Sequence, residues 1–294
     1  MPGEAYALIC AFLWALSSAL LKSQADKMRT VTLGALRTVP AIALYWGIVL
    51  FSGRLSEIAA LSSRTWAFLA GSSLIGLIVG DLFYYASMKR IGLARVMPLS
   101  AIYPFFTMLF ALLFLDETVG WGTAVGALLI IVGSYLLAVP SRIHRSPSSA
   151  QRIDWIGIGM AIISAVCWGA STVMVRVGVD GVSVPVANAI RLSILIVVWL
   201  SVAVMQGGLE QVRSLETQSL LIVMASGILG AGLGTFAFLS SVHLAGATKT
   251  SILTATTPLF GVPLAFVLGE RTSMRTVLGT LCSIAGVWLT VSAV

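Results

Sequence analysis

The sequence predicts an all-α integral membrane protein, with ten transmembrane helices arranged as two inverted-topology repeats of five. Three observations lead there. Of the 294 residues 58% are hydrophobic and only 10% charged, with a mean hydropathy of +1.00, outside the range of soluble domains. Ten apolar stretches come close to the roughly 20 residues that a helix needs to cross a hydrocarbon core about 30 Å thick. Finally, the chain repeats itself. Cys10-Ala11-Phe12-Leu13-Trp14-Ala15-Leu16-Ser17-Ser18 returns as Ser164-Ala165-Val166-Cys167-Trp168-Gly169-Ala170-Ser171-Thr172. The same offset sets Arg37 on Arg191, Gly76 on Gly230, Gly80 on Gly234, Gly92 on Gly246 and Pro104 on Pro258. After one lost residue, Glu117 falls on Glu270, Gly126 on Gly279 and Gly133 on Gly286. A repeat this long is an architectural signal.

In the first half the stretches are 4–24, 31–52, 64–88, 93–116 and 119–139, and in the second 154–177, 184–206, 216–243, 246–269 and 273–293. Charges sit mostly at their edges, as the cost of desolvation requires. Lipid offers no water to unpaired backbone groups, and alternating ten-residue strands are absent, so the segments are read as helices. The first stretch resembles a signal peptide in length. It carries Glu4 in place of a basic run and recurs at 158–176, so it is expected to stay in the mature chain. Residues 1–139 thus form one repeat, 140–153 a polar linker and 154–294 a second repeat. Five is odd, so the second repeat enters the membrane from the opposite side, and the halves are expected to meet at a site near the midplane.

The formal net charge of +7 is assigned to membrane orientation and not to nucleic acid, because no basic run interleaved with aromatics is present. Loops after odd-numbered spans hold Lys22, Lys27, Arg29, Lys89, Arg90, Arg95, Arg142, Arg145, Arg152, Arg213, Arg271 and Arg275; those after even-numbered spans hold Arg54, Arg64, Arg176 and Lys249. The positive-inside rule then puts the linker in the cytoplasm and both termini outside a cell (inner or plasma) membrane. Cys10, Cys167 and Cys282 all lie inside spans at unrelated spacing and are read as small apolar fillers.

The repeated pattern resembles the EamA family of the drug/metabolite transporter superfamily, over nearly the whole chain in two copies. The likeness is carried by Trp14 to Lys22 and Trp168 to Arg176, by Arg37 and Arg191, and by Pro104 through Leu115-Asp116-Glu117 to the glycine-rich fifth span. Leu268-Gly269-Glu270-Arg271, followed by Gly279 and Gly286, repeats the last part. Asp116-Glu117 departs from the family's Gly-Glu. The resemblance implies a ten-helix secondary transporter of small metabolites working by alternating access. It also implies both termini in the cytoplasm, the reverse of the charge count.

Positions i, i+4 and i+8 share a helix face, so Trp14, Ser18 and Lys22 form a stripe that Trp168, Thr172 and Arg176 repeat. An aromatic, a hydroxyl and a cation suit a partly polar organic solute, with headgroup snorkelling the other reading for the cations and core packing the other reading for the tryptophans. Asp81 lies at depth in Gly80-Asp81-Leu82-Phe83-Tyr84-Tyr85, where a carboxylate costs about 2.5–3.5 kcal/mol and needs a partner, a proton or water. It is a candidate coupling or substrate-amine site, with Tyr85 beside it, or a structural partner for Arg37. Arg37 and Arg191 are read as scaffold, binding helix-end carbonyls or pairing with Glu117 and Glu270. The ninth span is rich in hydroxyls, with Thr250, Thr254 and Thr257 on one face beside Pro258. Ser100, Tyr103 and Pro104 take the matching places, and a proline break of this kind is tolerated where it lines a cavity. The alternative is that the hydroxyls bond back to their own helix. Gly76-x-x-x-Gly80, Gly230-x-x-x-Gly234 and the glycines of the fifth and tenth spans allow close helix approach and, by that route, a homodimer.

The leading expectation is secondary transport, as export of an amino acid or related solute, in a lipid bilayer and without a cofactor. No phosphate-cradling Gly-x-x-x-x-Gly-Lys-Ser/Thr loop exists to use ATP, which leaves protons or counter-substrate to drive it. A membrane enzyme would need a nucleophile with its base or a metal constellation, and the sequence offers neither; a channel or scaffold is the third class.

Overall fold

The computed structural model describes residues 1–22, 24, 27–91, 96, 99–138, 154–257, 259–260 and 274–292. The linker 140–153, Pro258 and Glu270 lie outside them, as do residues 261–269 of the ninth stretch and the side chain of Lys22. Regular structure among the described residues is helical throughout. In chain order it comprises α1 (Gly3–Lys22), α2 (Thr30–Phe51), the short α3 (Leu55–Ala59) and α4 (Ser63–Ser72), which runs through a π-helical segment (Ser73–Gly80) into α5 (Asp81–Ile91). Then come α6 (Tyr103–Phe114) and α7 (Trp121–Ala138). The second half gives α8 (Trp155–Gly178), α9 (Val184–Met205), the short α10 (Gly208–Arg213) and α11 (Thr217–Gly227). A second π segment (Ile228–Gly234) leads to α12 (Thr235–Thr254), and α13 (Met274–Ser292) follows. Six of these helical runs are long and apolar enough to cross a membrane: Gly3–Leu21, Val31–Phe51, Ser63–Ile91, Trp155–Gly178, Val184–Met205 and Thr217–Thr254.

Boundaries follow local chemistry. Pro104 sits in the first turn of α6, where its missing N–H costs nothing and its fixed φ suits a helix start. The fourth stretch is interrupted there, as its sequence suggested: residues 99–100 are helical, 101–102 form a turn, and α6 begins at Tyr103. The eighth and ninth stretches are parted by Gly246, at φ 84 and ψ 170, a conformation that only glycine adopts cheaply. Glu117 completes this break. Its carboxylate accepts the backbone N–H of Ala247 at 2.9 Å and of Thr248 at 3.1 Å, two donors that a fresh helical start leaves unpaired.

The chain forms two compact units. One comprises Met1–Leu74 and Met174–Gly246, the other Ile75–Val173 and Ala247–Val294, so each draws on both halves of the sequence. In the first unit, α2 packs against α9. Gly34 lies under the Trp199 ring, where a Cβ would come within 3.3 Å; Trp46 donates its indole N–H to Ser193 Oγ at 3.0 Å; and Asn188 approaches the Tyr45 phenol. Residue numbers rise along α2 as they fall along α9, so these repeat-equivalent helices run antiparallel. Glu57 on α3 accepts the backbone N–H of Ser183 and, at 2.8 Å, its hydroxyl, at the start of α9. Gln211 on α10 accepts the N–H of Arg29 at 3.2 Å, at the start of α2. Glu57 and Gln211 are repeat equivalents, and so are Arg29 and Ser183.

In the second unit α7 packs on α13 by glycine. A Cβ on Gly126 would lie 2.8 Å from Gly286 O, and one on Gly133 would lie 2.7 Å from Gly279 O. This pair too runs antiparallel. The glycine stripe expected to serve a homodimer is thus occupied within one chain, because backbones this close leave no room for a second partner on that face. At the membrane edge, Asp154 starts α8. It accepts the Gly157 N–H at 2.9 Å and the Arg90 guanidinium at 2.9 Å, while Ser87 donates to Gly157 O at 2.7 Å. These contacts hold the end of α5 against the start of α8.

The Gly157 N–H, and then the Arg90 hydrogen bond, hold the Asp154 carboxyl below the usual aspartate range. A depressed folded-state pKa stabilises the fold above the unfolded-state value and loses that contribution as pH falls through the folded value. Asp154→Asn should therefore flatten the acid end of a thermal-stability profile measured in detergent between neutral pH and the acid side of the carboxylate range. An unchanged profile would show that this cap carries no linkage.

Candidate functional site

The second unit gathers most of the residues singled out from the sequence. Asp81 is the first residue of α5, immediately after the π segment, and stays half-buried. Its Oδ1 accepts the indole N–H of Trp168 at 3.0 Å. Gly80 permits this approach: a Cβ there would lie 2.9 Å from Trp168 Cδ1. Around the indole stand the rings of Tyr84, at 5.3 Å between centroids, and Tyr103, edge-on at 6.2 Å. Tyr85 lies edge-on to Tyr84 at 5.6 Å. The Tyr103 hydroxyl donates to Ser251 O at 2.9 Å and lies 2.7 Å from Thr254 Oγ1, which fixes the ring's position.

The equivalent cluster in the first unit shares the frame and lacks the polarity. Trp14 donates its indole N–H to Gly230 O at 3.3 Å and lies over Gly234, where a Cβ would meet Trp14 Cδ1 at 2.7 Å. Phe238 sits 5.5 Å from the Trp14 ring, in the place that Tyr84 takes in the other copy. Thr235 replaces Asp81, and its hydroxyl turns back to Gly232 O at 3.1 Å. Thr257, the repeat equivalent of Tyr103, belongs to the second unit and not to this cluster. The backbone device is repeated as well, since each π segment ends at the glycine under the tryptophan, and π-helical insertions recur at functional sites.

Other predicted residues fall elsewhere. Ser18 is exposed on α1, apart from the buried contact that its neighbour Ser17 makes with Ser226 O at 2.9 Å. Thr172 is buried and bonds back to Trp168 O at 2.9 Å. The hydroxyl face before Pro258 is buried too. Thr254 and Thr257 donate to Thr250 O and Thr254 O, each at 2.7 Å, and Ser251 and Thr256 bond back in the same way. These hydroxyls serve their own helix, the alternative the sequence left open, and only Thr254 also reaches the aromatic cluster.

Among the described residues the two scaffold arginines meet serines; Glu270 lies outside them. Arg191, 3% exposed, donates from Nε to Ser72 Oγ at 3.0 Å, while Ser73 Oγ donates to Arg191 O at 3.1 Å. Arg37 reaches Ser17 Oγ at 3.5 Å, and its Nε has no partner among the described residues. Glu117 is taken up by the helix start at Ala247. Tyr84 was missed from the sequence. Its signal was there: it lies three residues after Asp81, on the same helix face, and its repeat mate is the apolar Phe238.

The EamA-like transporter family model matches the chain twice, over residues 1–139 and 155–292. An uncharacterized transporter of Archaeoglobus fulgidus is 22% identical over 285 residues, covering 96% of this chain and 95% of its own length. An uncharacterized transporter from the cobO 3' region of a Sinorhizobium species is 31% identical over 136 residues, which is 46% of this chain but 94% of that protein. Among solved structures, one crystal structure matches with a TM-score of 0.78 at 17% identity over 98% of this chain and 95% of its own, a likeness of fold.

Both tryptophan-on-glycine contacts should be intolerant of bulk. Gly80→Val and Gly234→Val are each expected to cost about 1–3 kcal/mol by overpacking, whereas Gly159→Val, with nothing within 4 Å of its Cβ position, should be near neutral. Thermal unfolding in detergent reads the difference, and equal tolerance at all three positions would refute the packing assignment.

Proposed function

The chain belongs to the EamA-like transporter family, a multi-pass membrane transporter, and from that premise we propose that it is a secondary active carrier exporting a small organic metabolite, an amino acid or related solute. It works by alternating access and is driven by protons or by exchange. The observation that carries this reading is Asp81: a carboxylate at membrane depth, hydrogen-bonded to Trp168 in an aromatic cluster whose repeat mate is neutral. If packing alone needed an acid there, the equivalent cluster would need one too, and it holds Thr235.

Asp81 is the coupling group in this proposal, and Trp168, Tyr85, Tyr103 and Thr254 form the solute-facing frame with it. Alternating access follows from ten spans in two inverted repeats, 1–139 and 154–294. The antiparallel course of the equivalent pairs α2/α9 and α7/α13 supports that topology, because equivalent helices of inverted repeats point in opposite directions. Orientation in the cell membrane is proposed from charge, with the linker cytoplasmic.

The test is transport in proteoliposomes, run with a panel of small solutes with and without a pH gradient. Saturable counterflow without chemical change of the solute is the expected outcome. Asp81→Asn should abolish proton-coupled movement while leaving expression and folding intact. Full retention of coupled transport by Asp81→Asn would remove this residue from the mechanism.

A further inference from the structure

The Asp81 cluster has a narrower chemistry than solute binding in general. We propose that it reads a positively charged nitrogen, an ammonium or alkylammonium group, on the transported solute, and that Tyr84 determines this specificity together with Asp81. The inference rests on the transport reading above and names the substrate class of that same site.

The indole of Trp168 holds the carboxylate at its edge, 3.0 Å from Nε1 to Oδ1. Tyr84 is tilted against that indole by 37° and Tyr103 stands at 89° to it, so ring faces and edges converge beside one acid. Aromatic faces carry the negative side of the ring quadrupole, and a cation placed over them is attracted, most strongly where water is excluded. Carboxylate and π-faces therefore favour the same sign of charge, and an anionic group entering the cluster meets repulsion from both. Asp81, Tyr84, Tyr85, Tyr103 and Trp168 are all half-buried, so each keeps accessible surface for a ligand to touch.

The copy in the first unit supplies the control. It keeps the tryptophan, the glycine beneath it and an aromatic ring at 5.5 Å. It replaces the acid by Thr235 and Tyr84 by Phe238. The tryptophan, glycine and aromatic ring pack there without an acid, so the carboxylate is an addition that this packing does not explain. Tyr103 is tied by its hydroxyl to Ser251 and Thr254. Tyr84 is the second aromatic face against the indole, one turn beyond the acid on the same helix.

The test uses the purified full-length protein in detergent and reads ligand-induced thermal stabilisation by three near-isosteric probes: 2-phenylethylammonium, neutral 2-phenylethanol and anionic 3-phenylpropionate. The cation is expected to stabilise at concentrations about tenfold lower than either of the others, the scale of a desolvated cation–π contact. Tyr84→Leu and Asp81→Asn should erase that preference, and Tyr84→Phe should keep it because the ring remains. If Asp81→Asn does not fold, the Tyr84→Leu and Tyr84→Phe pair decides. Equal stabilisation by all three probes, preference for the anion, or no stabilisation by the cation overturns the proposal. Flux of isotope-labelled 2-phenylethylammonium into vesicles, measured in parallel, separates the two readings. Cation binding without flux removes transport and leaves recognition, whereas metabolite flux without cation preference does the reverse.

Discussion

A tryptophan lying on a bare glycine, with its indole N–H directed at a helix that belongs to the other half of the sequence, is the contact on which the rest depends. It occurs twice, as Trp14 over Gly234 and as Trp168 over Gly80. In lipid no hydrophobic force drives one helix against another, so association rests on close packing and on hydrogen bonds that water does not compete for. A glycine under an indole supplies the first, and the N–H supplies the second. Each π segment brings its glycine to the right place. In one copy the indole N–H then meets the next residue, Asp81; in the other it meets Gly230 O, and Thr235 bonds back to its own helix.

The same exchange between halves runs through the structure. Glu57 closes the start of α9 and Gln211 the start of α2, and Gly126 meets α13 as Gly133 does, each against the other's counterpart. Paired contacts of this kind are economical for a duplicated sequence, since one solution to a packing problem serves in two places. They also make departures from the pattern informative. Where the copies differ, at Asp81 and Tyr84 against Thr235 and Phe238, the tryptophan–glycine packing is kept and the polarity beside it changes.

Much of this was legible in the sequence because the membrane enforces it. Apolar length marks the spans, and α2, α8 and α9 begin and end within a residue or two of the stretches read for them. The repeat marked Gly80, Gly234, Trp14 and Trp168 as paired positions, and depth marked Asp81. Partners were less legible. An arginine and a glutamate that recur in both halves invite an ion pair, yet Arg191 takes the Ser72 hydroxyl and Glu117 takes the N–H groups freed by Gly246. Sequence distance carries no information about which of several hydrogen-bonding groups lies in reach. The interruption at Pro104 was legible as well: a turn at 101–102 precedes the helix that starts at Tyr103, and a proline suits such a start. Tyr84 was passed over beside Tyr85 because both are tyrosines, and only the helix face tells them apart.

If the halves are completed by each other's contacts, neither should fold alone. Residues 1–139 and 154–294, produced as separate polypeptides with a tag on one, provide the direct measurement. Co-produced, they should copurify as one stable complex that melts cooperatively, while either half produced singly should be degraded or aggregate. Two halves that are each stable and monodisperse alone, and do not associate when combined, would contradict the exchanged-contact architecture.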